Sequence, residues 1–238
     1  MSSLDTVFAN LDRWRHFPAY QLERRADIFF SVYLKGLVEE VTGTPLEEEM
    51  IPELPVKLNL VWTQRLGNKS VKVDYALFAK DRSRVYFVEL KTHGGSRRDA
   101  QDHYLATSER LGFRAIVEGF CSILLETKAH QKYHHLTAAL ARLGYLALPA
   151  DLAAHIYPQP KRGLTERLRA VQVSALESRV EVLYVQPNPS EGVRSIDFAR
   201  FAEFVGRHDD PLSKVFATHL LRWQALAGSS EPQASTGK

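Results

Sequence analysis

The chain predicts an α/β (α+β) fold, with strands flanked by helices. Three observations carry this expectation. A helical period runs through residues 21–41, a period of two takes over near residue 56, and the helical period returns after residue 97. The 238 residues suit one domain, read as residues 1–227, with room for an insertion and a core that needs no staples. A hydrophobic fraction of 45% and a charged fraction of 25% are ordinary for a globular chain. No run of 18 apolar residues occurs, which excludes a transmembrane helix and a membrane partner. Asp5 and Asp12, with no clean apolar stretch, argue against a secretion signal. Cys121 is the only cysteine, so an internal disulfide and a cysteine-based zinc site are excluded within one chain. These features describe a reduced, cytoplasmic protein.

The elements follow in order. Ser3 caps a short helix with Leu4, Val7, Phe8, Leu11 and Trp14 on one face, and Pro18 interrupts it. A stronger helix spans about 21–41, with Leu22, Ala26, Phe29, Phe30, Tyr33, Leu34, Leu37 and Val41 at spacings of three and four. Gly43 and Pro45 end it. Residues 44–55 read as an acidic, proline-spaced connection. Val56, Leu58, Leu60 and Trp62 then alternate as a first strand, and Gly67-Asn68 marks a turn. Strands near 70–79 and 84–91 are joined by a tip at Asp81-Arg82. Gly94-Gly95 precedes helical segments at 97–111, 113–127 and 131–143, with 149–163 a loop and 164–178 ambiguous. Residues 180–186 form a strand, Ser195 caps a helix, and Asp210-Pro211 opens the last helix. The polar tail, 228–238, reads as disordered.

The charge is uneven. The total is +3, but residues 91–179 carry 13 basic and 8 acidic side chains and six of the nine histidines. Residues 1–90 carry 12 basic and 13 acidic, and residues 180–238 carry 6 and 7. A local basic surplus attracts phosphate, although solvated helix faces account for charge of this size as well.

The hairpin supplies the chemistry. A two-residue tip at Asp81-Arg82 sets Asp74 directly opposite Glu89. Side chains alternate along a strand, so Glu89 and Lys91 share one face while Leu90 takes the other. Opposed carboxylates repel, and a divalent cation relieves the repulsion. Oxygen ligands suit Mg²⁺ or Mn²⁺, which can present a water as nucleophile. Lys91 then orients that water or balances charge on the phosphate. The same spacing also fits Lys91 as a simple counter-charge on an exposed sheet face.

A helix, a three-strand meander, an Asp on the second strand, Glu-x-Lys on the third and a helix after it together resemble the PD-(D/E)XK, restriction-endonuclease-like nuclease superfamily. The motif here is Val73-Asp74-Tyr75, fourteen intervening residues, then Glu89-Leu90-Lys91. The resemblance covers 21–111 closely and 180–186 loosely. It implies an αβββαβ core with a mixed sheet, here carrying a helical insertion over about 112–178. It implies Asp74, Glu89 and the carbonyl of Leu90 as metal ligands, with Lys91 assisting the attacking water. Many members add a carboxylate from the first helix. Glu40 lies nearer the apolar face than Glu39 and is the preferred candidate. Gln101 matches a Gln found on the following helix in some members. The RecB-like pattern places a Tyr four residues later, whereas Tyr104 stands three later. The residue before Asp74 is Val73 rather than Pro.

The expected function is a Mg²⁺- or Mn²⁺-dependent nuclease that hydrolyses phosphodiester bonds of nucleic acid, DNA foremost. The alternative is a catalytically inert nuclease-like module that binds nucleic acid or protein. Arg97 and Arg98 at the mouth of the site, with Lys128, Lys132, Lys161 and Arg162 in the insertion, are the candidate phosphate contacts. His130 and His134 have helical metal-pair spacing, which a solvated helix face explains more simply. Cys121 sits in an apolar run and reads as core. A homodimer stays open.

Overall fold

The computed structural model describes residues 2–15, 17, 21–62, 69–92, 99–156 and 162–228. Its first helices are α1 (Ser3–Trp14) and α2 (Leu22–Thr42). Then come β1 (Ile51–Lys57), the single turn α3 (Leu58–Val61), β2 (Ser70–Phe78) and β3 (Arg84–Leu90). The middle of the chain holds α4 (Asp99–Glu126), α5 (His130–Arg142), β4 (Leu146–Ala147), α6 (Leu152–Ile156), α7 (Leu164–Arg169) and β5 (Gln172–Val173). It closes with β6 (Arg179–Gln186), β7 (Ser195–Asp197), α8 (Phe198–Val205) and α9 (Pro211–Gly228). The fold is mixed α/β. Five strands run in the order β1-β2-β3-β6-β7, and β4 pairs with β5 separately. β1 with β2 and β2 with β3 are antiparallel, while β6 and β7 are parallel.

The chain divides into two compact units. One comprises Met1–Thr44, Glu89–Arg98 and Leu183–Lys238, and the other Pro45–Val88 and Asp99–Val182. The first is centred on aromatic side chains. Phe30 meets Phe201 and Phe216 edge-on at 5.1 and 5.2 Å, and Trp223 is fully buried beside Phe216. Each such ring pair adds about 0.5–1.5 kcal/mol beyond the area it buries. Asp12, itself buried, accepts Trp223 Nε1 at 2.7 Å and Arg222 Nη1 at 2.6 Å, tying α1 to α9. In the second unit, Phe78, Phe113 and Tyr145 pack edge to face, and Leu124, Leu152, Ile156, Leu164 and Leu168 form a separate cluster. Gly112 interrupts α4 at φ 76° and ψ 165°, a conformation that essentially only glycine adopts. There Phe113 N leaves the helical pattern and donates to Ser178 O at 3.0 Å.

The expected break at 112 and the last helix from Pro211 are present. The first strand is not where alternation placed it. It spans Ile51–Lys57, mostly within the expected connection and meeting the expected strand only at Val56 and Lys57, and Leu58–Val61 turn as a helix with Leu58 and Val61 buried. Pro52 and Pro55 disguise β1, yet an edge strand tolerates prolines because half of its N–H groups have no ladder partner to lose. The expected loop at 149–163 contains α6, and the ambiguous 164–178 resolves into α7 and β5. The N-cap is Ser2 rather than Ser3, with a capping box to Asp5. Ser195 begins β7, and Asp197 caps α8 by accepting Arg200 N at 2.7 Å. Pro18, the Gly67-Asn68 turn, the Gly94-Gly95 break and the tail from 229 onward lie outside the described residues. No helix among the described residues is long and apolar enough to cross a membrane.

Candidate functional site

The hairpin register matches the expected one. Tyr75 pairs with Val88, Ala76 with Phe87, Leu77 with Tyr86 and Phe78 with Val85. The connection is longer than two residues, since Ala79 N donates to Arg84 O at 3.0 Å and residues 80–83 turn, with Arg82 at φ 62°.

In the first unit, the end of β3 carries Glu89 and Lys91. Backbone alternation puts both side chains on one face, and Lys91 Nζ donates to Glu89 Oε1 at 2.9 Å. Glu89 is 2% exposed and Lys91 7%. Lys91 N donates to Val185 O at 2.8 Å, which anchors the strand end to β6. Two charges are thus held out of water beside each other. A buried charge is favourable only while it has a partner, and each of these two supplies one to the other. Arg15, just past α1, donates from Nη2 to Thr92 O at 3.3 Å. Thr92 is fully buried, and its Oγ1 makes no hydrogen bond among the described residues.

In the second unit, Asp74 lies on β2 between buried Val73 and Tyr75 and is itself half-buried. Ser70, Lys72 and Asp74 make the less buried face of the strand. On β1, Glu53 falls between the paired residues Pro52 and Leu54 but adopts φ 53°, uncommon for a residue with a side chain, and forms an ion pair with Lys72. The start of α4 is fastened to β2 by Tyr104, whose Oη donates to Lys72 O at 3.1 Å. Gln101 Nε2 reaches Tyr104 Oη at 3.5 Å, one helical turn away. Tyr104 was visible in the sequence only as a spacing that departs from the RecB-like pattern; its contact to the backbone of β2 gives it a positioning role.

The remaining candidates are scattered. Glu40 does turn toward packed structure, but its neighbours are α8 and the residue beyond it. Arg200 binds one of its oxygens, and Arg207 Nη1 the other at 2.6 Å. Glu203 completes this network from the far side of both arginines. Glu39 pairs with Lys35 at 3.1 Å. Lys128, Lys132 and Arg162 are exposed, and Lys132 borders a cavity beside β1. Arg97, Arg98 and Lys161 lie outside the described residues. Burial pushes the Cys121 thiol up to about 11, so it is neutral near pH 7, but the residue is half-buried rather than part of the core.

The donor chemistry fits a hard divalent cation. Asp74 and Glu89 are carboxylates, the Leu90 carbonyl is a third oxygen, and Mg²⁺ binds through one or two carboxylates while keeping waters. Among the described residues, no group of three or more His, Cys, Asp or Glu side chains gathers as a metal cluster. Neither a family model, nor a characterised protein, nor a solved structure matches the chain.

Proposed function

We propose that the chain is a divalent-metal-dependent phosphodiesterase acting on nucleic acid, DNA foremost, with Asp74, Glu89, Leu90 and Lys91 as its centre. The observation that carries this reading is the buried Glu89–Lys91 pair at the end of β3, next to a hairpin whose register runs Tyr75 to Val88. The tip spacing expected from the sequence pairs Asp74 with Glu89 next. The αβββαβ resemblance supports the same assignment, and Gln101 joins it as a residue positioned through Tyr104. Glu40 is left out, because two guanidiniums already occupy its oxygens.

When bound, Mg²⁺ or Mn²⁺ supplies Lewis acidity and lowers the pKa of a coordinated water. The protein groups do the rest. Asp74 and Glu89 present anionic oxygens from β-strands, so little reorganisation is needed on binding. Lys91 leans against Glu89 until a phosphate arrives; its ammonium then offsets the charge that develops on the phosphate oxygens.

The test is incubation with supercoiled, linear and single-stranded DNA, and with RNA, under Mg²⁺, Mn²⁺ or EDTA. Cleavage should require metal and vanish in Asp74→Asn and Lys91→Met. Metal-dependent cleavage that survives in Asp74→Asn protein would overturn the assignment.

One observation favours a second reading, an inert nuclease-like module. Glu89 and Lys91 satisfy each other, which a purely structural ion pair also does. Calorimetry separates the two, since a module of this kind shows no heat of Mg²⁺ or Mn²⁺ binding that depends on Asp74.

A further inference from the structure

A cavity of about 420 Å³ lies in the second unit, between edge strand β1 and helix α5. Its volume falls within the range of small-ligand sites. The apolar part of its lining includes Met50, Pro52, Pro55, Tyr133 and Leu136. Two ion pairs stand at its walls, Arg142 with Glu49 and Lys72 with Glu53. These cancel, which leaves exposed Lys132, with no ion-pair partner among the described residues, as the surplus Lys or Arg of the lining, beside His135.

The occupant is constrained from two directions. A peptide strand adding to β1 would need a row of backbone donors, and Pro52 and Pro55 supply none. An aromatic, sequence-tolerant guest with one negative charge suits an apolar slot beside Tyr133 and a lone lysine. Ser70 and Lys72, which also line the cavity, share a face of β2 with Asp74. At about 3.4 Å per residue they stand ~14 and ~7 Å from it along the strand. Two residues that line the cavity therefore share a strand face with a proposed metal ligand.

We propose that this cavity receives one nucleotide from a single-stranded stretch of the substrate, with its base against Tyr133 and Leu136 and its phosphate at Lys132. Base–aromatic stacking beside a cation is a sequence-tolerant way to hold a single strand. The inference rests on the nuclease reading for its substrate, but its residues are separate from the catalytic ones.

The experiment is a titration of short single-stranded DNA and RNA oligonucleotides carrying 2-aminopurine into the full chain in EDTA, with inorganic phosphate as a parallel arm. Stacking should change the 2-aminopurine emission. Lys132→Glu should weaken binding about tenfold by replacing a phosphate contact with repulsion. Tyr133→Leu should weaken it about tenfold and abolish the emission change. Lys80→Glu, the same charge change at the exposed hairpin turn, should cost about twofold or less. Equal losses in Lys132→Glu and Lys80→Glu, an unchanged emission, or no oligonucleotide binding would each overturn the proposal. Binding of phosphate alone, with no effect of the base, would do so as well. The Lys91→Met protein separates the two ideas. If it cleaves like wild type while the cavity variants lose binding as stated, the nuclease reading fails and the cavity stands. If it is inactive while the cavity variants bind normally, the cavity proposal alone fails.

Discussion

The two strands that carry the proposed metal ligands keep their charges in opposite ways. At the end of β3, Glu89 and Lys91 are sealed from water and depend on each other. On β2, Asp74 is half-buried, and its neighbour Lys72 keeps a side chain 55% exposed while pairing with Glu53. A buried pair is stabilising only as a pair, so altering one member is an event in folding as well as in chemistry. A half-buried carboxylate can be neutralised with little structural consequence. The β3 site is therefore where fold and function are hardest to separate, and Asp74 is where they separate cleanly.

The largest expected effect follows from that contrast. Glu89→Ala or Lys91→Ala breaks a buried ion pair from one side and should lower unfolding free energy by about 3–5 kcal/mol in denaturant titrations. The double variant Glu89→Gln/Lys91→Met removes both charges at nearly constant volume and should recover most of this loss. It should nevertheless be inactive, at least ~10²-fold below wild type, because the groups that meet developing charge are gone. Recovery of activity along with stability would show that the pair serves the fold alone.

Asp74→Asn sharpens the comparison from the other side. Its unfolding free energy should stay within about 1 kcal/mol of wild type. Metal-dependent cleavage should fall by ~10²-fold or more. If denaturation shows a loss like that of Lys91→Ala, the two strands do not differ in the way their exposure indicates.

Away from both strands, the insertion has its own weak point. Gly112→Ala should destabilise the protein by about 1–3 kcal/mol, since a Cβ is strained at φ 76° and ψ 165°. Nothing but Ser178 O lies within 4 Å of the added carbon, so the cost is conformational rather than steric. A thermal melt indistinguishable from wild type would mean that the kink relaxes freely.

The sequence made the hairpin legible because β-branched and aromatic residues alternate there and nothing competes with that signal. Its register follows from the tip, and the extra turn residues left the pairing unchanged. The helix at 21–41 and the break at Gly112 were legible for similar reasons, one a long apolar period and the other a single glycine. β1 was hidden by Pro52 and Pro55, which propensity counts against a strand but an edge position allows. The alternation from Val56 to Trp62 runs into a helical turn that buries Leu58 and Val61, three residues apart, and only Leu58 belongs to the alternating set. Glu40 illustrates a different limit. A helical wheel finds the residue that turns inward, but not the arginines of α8 and beyond that meet it. Burial of the Glu89–Lys91 pair was equally invisible, since strand alternation fixes a shared face and not its exposure.

The smallest expected effect lies in the exposed acidic caps. Ser213 holds the Asp210 carboxyl below its usual range through its hydroxyl and backbone N–H at the start of α9. Ser2 does the same for Asp5 at the start of α1. A carboxyl whose folded value lies below its unfolded one, near 3.9, stabilises fully above that pH and loses the contribution as pH falls through the folded value. Melting temperature should therefore hold between pH 7 and 5 as far as these caps are concerned, and drop below about pH 4. Asp210→Ala should melt slightly lower at pH 7 and show a shallower drop in acid, because the group that titrates there is missing. An unchanged acid slope in that variant would place the loss elsewhere, among carboxylates whose partners are other charges rather than helix ends.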